Sequence, residues 1–150
     1  MKMLAIFMFI LGSIAFWSFN PDRGKEREEA SSEAVAMNYA IFRNAVFAYA
    51  LKVKTGGPVF PGNQGLTTLP NGWKNIRDWQ GLIQEESDGQ MFCYVFGPAE
   101  PAEVIAVQKL FNYSKTVGWN DSGVFNRNGD PLVLPAVIPH GSVVSVIRLD

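Results

Sequence analysis

Ser31–Val53 reads SSEAVAMNYAIFRNAVFAYALKV. Val35, Tyr39, Phe42, Val46, Tyr49 and Val53 follow one another at alternating steps of four and three. That spacing keeps one face of an α-helix apolar over most of its length. Ser31 or Ser32 is the expected N-cap, with Glu33 in the first turn, where a carboxylate meets the positive end of the helix dipole. Ala34, Ala36, Ala40, Ala45, Ala48 and Ala50 surround the stripe, and small side chains let another backbone approach closely. Asn38, Arg43, Asn44 and Lys52 are the polar positions. A coiled-coil seam would carry charges at its flanks. Alanines stand there instead, so the stripe is expected to pack on the chain's own sheet. Thr55-Gly56-Gly57-Pro58 ends the helix, because glycine caps it and proline cannot continue it.

Downstream, Pro61–Gly72 is a loop rich in Pro, Gly and Asn, and Trp73, Ile76 and Trp79 are expected to fold back onto the core. Gln80–Glu85 and Gln90–Phe96 flank Glu86-Ser87-Asp88-Gly89, and Asp-Gly between two strand-like runs is a hairpin signal. The run MFCYVF (Met91–Phe96) is apolar on both faces, as a central strand would be. After the break at Pro98–Pro101, a second helix is predicted over Ala102–Asn112, with Val104, Val107, Leu110 and Phe111 on one side. Gly118–Asn120 and Val124–Asn126 read as short strands joined by Asp121-Ser122-Gly123, and Arg127–Asp130 as a turn. Pro135 interrupts Leu132–Ile138, which suits an edge strand or an irregular segment. Ser142–Leu149 (SVVSVIRL) is a strand. The predicted fold class is α+β: a long amphipathic helix packed on a mainly antiparallel sheet, with a second short helix.

Upstream, Met3–Phe19 (MLAIFMFILGSIAFWSF) is apolar apart from Gly12, Ser13 and Ser18. As a helix it would be about 25 Å long, a short but usable span of a hydrocarbon core about 30 Å thick. The rival reading is a cleaved secretory signal with a weak site at Ser13-Ile14-Ala15. The apolar run continues past that site through Phe16, Trp17 and Phe19, which favours a retained anchor and puts Trp17 at the interface belt. Basic residues lie on both sides of the run, at Lys2 and at Arg23, Lys25 and Arg27, so orientation rests on the simplest arrangement: a short inner tail and an outer domain. The expected organisation is a membrane anchor over 1–20, a charged linker over 21–31, helical or flexible over Pro21–Glu29, and a periplasmic α+β domain over 32–150.

The 150 residues carry 13 Lys and Arg against 14 Asp and Glu. That balance speaks against a nucleic-acid partner, which would need a basic face. Cys93 is the sole cysteine, so no internal disulfide forms and multi-cysteine zinc motifs are excluded. Inside an apolar strand it reads as a small core residue. His140, the sole histidine, lies in the turn Ile138–Ser142. A Ser/His/Asp set with Ser142, or a Cys93–His140 pair, is conceivable, but there is no Gly-x-Ser-x-Gly elbow and Cys93 has no sequence reason to ionise. Gly62-Asn63-Gln64-Gly65 lacks the ending of a phosphate loop. Glu85, Glu86 and Asp88 fall short of a calcium loop and read as a solvated hairpin tip. No residue is assigned a catalytic, cofactor-binding or metal-binding role, and no cofactor is expected.

Met37-Asn38-Tyr39-Ala40, Phe42-Arg43-Asn44-Ala45-Val46, Leu69-Pro70-Asn71-Gly72-Trp73, Asp88-Gly89 and Ile138–Ile147 carry a resemblance that spans nearly the full chain. In these residues, and in its apolar start and charged joint, the sequence resembles the PilM family of type IVB thin-pilus systems carried by conjugative plasmids. The resemblance implies a non-enzymatic inner-membrane component of the pilus assembly apparatus and basal body. Its partners would be membrane lipid through residues 3–19 and other pilus assembly proteins or pilins, with a homo-oligomer left open. The alternative within the same machine is a minor pilin or pseudopilin. Against it, Gly12 lies in the middle of the apolar run and no Glu occurs between Met1 and Lys25, so the prepilin cleavage pattern is missing. A small exported hydrolase using His140 or Cys93 is the remaining reading.

Overall fold

The computed structural model describes residues 21–53, 58–127 and 129–149. The expected anchor at Met3–Phe19 and the Gly56-Gly57 cap lie outside them. Among the described residues, no helix is long and apolar enough to cross a membrane. The chain divides into two compact units, Met1–Ser31 and Ser32–Asp150. In the first, residues 24–31 are helical and exposed.

Helix α1 spans Pro21–Ala50, so it starts well before the serines expected to cap it. Proline suits a first helical turn, where its missing N–H would have no partner. Lys25, Glu26, Arg27, Glu28 and Glu29 are good helix formers, and they carry the helix through Ser31 and Ser32. The helix ends sooner than its stripe: Lys52 N–H turns back to the Tyr49 carbonyl at 2.9 Å, and Val53 lies beyond the last helical residue. Val35, Tyr39, Phe42 and Val46 are buried as the spacing predicts, joined by Ala36, Ala45 and Ala50, while Tyr49 is half-buried.

Six strands follow: β1 (Gln80–Glu85), β2 (Met91–Pro98), β3 (Val117–Asp121), β4 (Val124–Arg127), β5 (Leu132–Val133) and β6 (Ser142–Leu149). Their order in the sheet is β1-β2-β6-β3-β4-β5, and every neighbouring pair is antiparallel. Both β2 and β3 run against β6, so they run parallel to each other. Helix α2 (Pro101–Leu110) connects them, and the last strand fills the gap left between: a split β-α-β arrangement. The β1–β2 turn closes as Asp-Gly predicts, with Gly89 at φ 79° and Glu86 N–H bonded to the Gln90 carbonyl at 2.8 Å. Ser122 and Gly123 both have positive φ, the pattern of the tight two-residue hairpin. Strand β5 is cut short between Pro131 and Pro135, which blunts that edge.

Alternate residues of the central strands feed two cores. Cys93, Val95, Val143 and Val117 meet α1 and Val107 of α2 on one face. On the other, Leu82, Tyr94, Phe96, Val144 and Val146 join Phe125, Leu134 and Ile138, so the sheet curls and closes over its own second face. This is why MFCYVF needs apolar residues on both sides. Two expectations fail at the rim. Leu110 is 41% exposed because α2 ends there, leaving Val107 as its buried apolar residue. Ile76 is 53% exposed, since the extended segment 73–79 alternates and turns Trp73 and Trp79 inward.

Candidate functional site

The polar residues of α1 form a hydrogen-bonded cluster that reaches both the segment before β1 and strand β6. Asn38 is buried and holds the segment before β1: its Nδ2 donates to the Lys74 carbonyl (2.8 Å), and its Oδ1 accepts from Ile76 N–H (3.0 Å) and Trp79 Nε1–H (2.7 Å). At the next residue, the Tyr39 hydroxyl lies 2.8 Å from both the Val95 carbonyl and Ser145 Oγ. Arg43 Nε–H donates to the same Ser145 oxygen at 3.0 Å. The guanidinium carbon sits 4.4 Å from the ring centres of Phe47 and Phe111. Burial raises the Tyr39 pKa and lowers that of Arg43. Glu103 in the first turn of α2 is also buried; it accepts from Arg77 at 2.6 Å and from the Glu100 N–H at 2.8 Å.

The sequence treated Asn38 and Arg43 as ordinary polar positions of the helix. Their spacing carried the signal. Asn38 stands three residues from Val35 and four from Phe42, and Arg43 four from Tyr39 and three from Val46, so both fall on the apolar stripe.

His140 lies at a cleft of about 330 Å³ lined by Arg77, Asp78, Glu100, Pro139 and Ser142, among others. His140 is exposed, and its Nδ1 accepts from the Ser122 N–H at 2.9 Å. That bond, with Asn120 bound to the carbonyls of Ile138 and Pro139, fastens the turn before β6 to the β3–β4 hairpin. Ser142 shares the cleft but is 1% exposed, and no hydrogen bond joins it to His140 among the described residues. Cys93 does not line the cleft; it is fully buried in the core facing α1. At the β1–β2 turn, Glu86 accepts from Tyr94 Oη (2.8 Å) and Gln84 Nε2 (3.0 Å), and Asp88 accepts from the Gln90 N–H (3.0 Å). Gly62–Gly65 leads into a single 3₁₀ turn, Asn63–Gly65, that anchors buried Leu66.

Burial pushes the Cys93 thiol up from 9.0 to about 12, against the opposing pull of the Arg43 charge. Below pH 9 the thiol is protonated whether the chain is folded or unfolded. Between pH 9 and about 12 the unfolded chain gives up the proton and the folded chain keeps it. Stability therefore falls as pH rises through that window, by at most ~1.4 kcal/mol per pH unit from this group. Urea titrations at pH 7.5, 9 and 10 should show the decline, and Cys93→Ala should flatten it. The native thiol should also resist an aromatic disulfide reagent at pH 8 and react once urea unfolds the chain. Rapid reaction of the folded protein would contradict the burial argument.

The crystal structure of a protein designated PilM from Escherichia coli B7A shares this fold: TM-score 0.55 at 18% identity, covering 79% of this chain and 92% of that one. No curated protein matches the sequence. The PilM family model matches residues 6–146, nearly the whole chain, and the chain belongs to the PilM family.

Proposed function

We propose that the protein is a non-enzymatic assembly component of a type IV thin-pilus apparatus, anchored in the bacterial inner membrane by residues 3–19, with its α+β domain in the periplasm binding other pilus proteins. The observation that carries this reading is the PilM match across residues 6–146. The side chains support it. The residues that could serve a hydrolase are engaged in holding the fold: the His140 ring nitrogen takes the Ser122 amide, and the Cys93 thiol is sealed in the core. Residues 24–31 form an exposed, charged helical stretch, which suits the joint between an anchor and a working domain.

The test is location together with variant function. The intact chain should fractionate with the inner membrane, and protease added to spheroplasts should remove its C-terminus. A cytoplasmic C-terminus, or a soluble product that has lost the residues before about Asn20, would refute the anchored arrangement. His140→Ala and Cys93→Ala should both still support pilus formation. Loss of pili in either variant, with the fold intact, would revive the hydrolase reading.

A further inference from the structure

Arg43 is the buried charge whose position the fold does not explain. Arginine is almost never fully buried without a paired anion, because taking a charge out of water costs several kcal/mol. Arg43 is 9% exposed, and no carboxylate is bonded to it among the described residues. What it has is Ser145 at Nε and an aromatic ring on each side, Phe47 from α1 and Phe111 from the end of α2. Two cation–π contacts offset about 0.5–2 kcal/mol each and hold the guanidinium plane still. They leave both Nη nitrogens without a protein acceptor. Side-chain atoms that are both buried and unpartnered are confined, among the described residues, to Trp73 Nε1, Asn75 Oδ1 and Arg77 Nε, so the Nη edge of Arg43 reaches solvent. A methionine or glutamine would fill the same space between the helices at lower cost if charge had no use there.

We propose that the Nη edge of Arg43, held between Phe47 and Phe111 where α1 and α2 meet, is a receptor for a carboxylate on a protein partner. The fork of two Nη donors matches the two oxygens of a carboxylate. The flanking rings exclude water from the pair and offer apolar contact to whatever carries it. A carboxylate can come from an acidic side chain or from the end of a chain, and both present the same group. This inference rests on reading the domain as a protein-binding module, and it names the chemistry of what is bound.

The full chain in detergent micelles, with ¹⁵N-labelled arginine, gives an Nε–Hε resonance for Arg43, assigned in the wild type by its proximity to the Phe47 and Phe111 rings. Three capped dipeptides serve as probes: one with a free C-terminal carboxylate, one with a Glu side chain and an amidated end, and a neutral Gln amide. Inorganic phosphate is the fourth. A saturable shift of the Arg43 resonance is expected with the carboxylate probes, with a dissociation constant on the order of millimolar for a single ion pair. Saturation by the free-terminus probe alone assigns a chain end, by the Glu probe alone an acidic side chain, and by both either source. Probe-dependent shifts of other resonances should be at least tenfold weaker in Arg43→Lys, which keeps the charge and loses the fork. No saturation, an equal shift from the neutral amide, or equal binding of phosphate would overturn the proposal. The wild-type titration decides even if Arg43 variants fold poorly. A failure here leaves the membrane fractionation untouched, so the two readings fail separately.

Discussion

Gly118→Ala should break the β3–β4 pairing and remove ~4 kcal/mol or more of the domain's stability. A methyl group built on Gly118 would lie 2.1 Å from the Asn126 carbonyl oxygen, 3.0 Å from its carbon and 2.8 Å from the Phe125 ring. The first two are backbone atoms of the partner strand, so no rotamer change relieves the clash; β4 itself would have to move by about an ångström. That displacement breaks the ladder from Gly118–Arg127 to Asp121–Val124. It also lifts Phe125, fully buried, out of the second core. Overpacking alone typically costs 1–3 kcal/mol, and loss of a large core aromatic 3–5, so a total of ~4 kcal/mol or more is expected. Against a domain stability of about 5–15 kcal/mol, that removes much of the margin. Gly62→Ala is the matched control: a methyl there meets nothing within 4 Å, at φ −75°, and its melting temperature should stay within a degree or two. A melting temperature for Gly118→Ala within about 3 °C of wild type would show that β4 can yield.

How much of this was legible in the sequence depends on whether a signal was local. The strand Ser142–Leu149 and the hairpin around Asp88-Gly89 were found at their observed places because alternation and turn chemistry are properties of a few neighbouring residues. The start of α1 was misplaced because Ser31 and Ser32 look like a cap from within the chain, although Pro21 offers an equally good beginning. Leu110 shares a helix side with Val107, and Ile76 lies among tryptophans expected on the core; whether such an apolar residue is covered depends on where its element ends and which way an extended segment faces. The polar cluster was the hardest to read. Asn38 and Arg43 lie on the buried stripe, but their partners Lys74, Trp79 and Ser145 are distant in sequence, and β6 enters the middle of the sheet last. No local rule reports that Ser145 will lie under Arg43.

Asn38→Leu should destabilise the domain by ~3–5 kcal/mol and free the segment 73–79 from the helix. Leucine keeps asparagine's branching and side-chain heavy-atom count but can answer none of its three partners. Trp79 Nε1 is then a buried donor without an acceptor, at a cost of about 1–3 kcal/mol, and the Ile76 N–H and Lys74 carbonyl add roughly 1 kcal/mol each. The melting temperature should drop by roughly 6–20 °C, at ~2–4 °C per kcal/mol for a domain of this size. The segment has little else to hold it. Trp73 Nε1, Asn75 Oδ1 and Arg77 Nε are already buried without partners, and the other ties are the Arg77–Glu103 ion pair and the packing of two rings on the core, Trp73 on Phe42 (5.7 Å) and buried Trp79 on Tyr39 (5.1 Å). Its opening therefore depends on Asn38 more than on any other polar tie it makes among the described residues. Hydrogen exchange at the Ile76 amide, protected in the wild type by Asn38, reads this directly. It should reach the rate of an open loop in Asn38→Leu, while β2 and β6 amides keep the protection set by global unfolding. An Ile76 amide that stays protected, with a stability loss under about 1 kcal/mol, would mean that the two tryptophans alone dock the segment and that Asn38 only fills space.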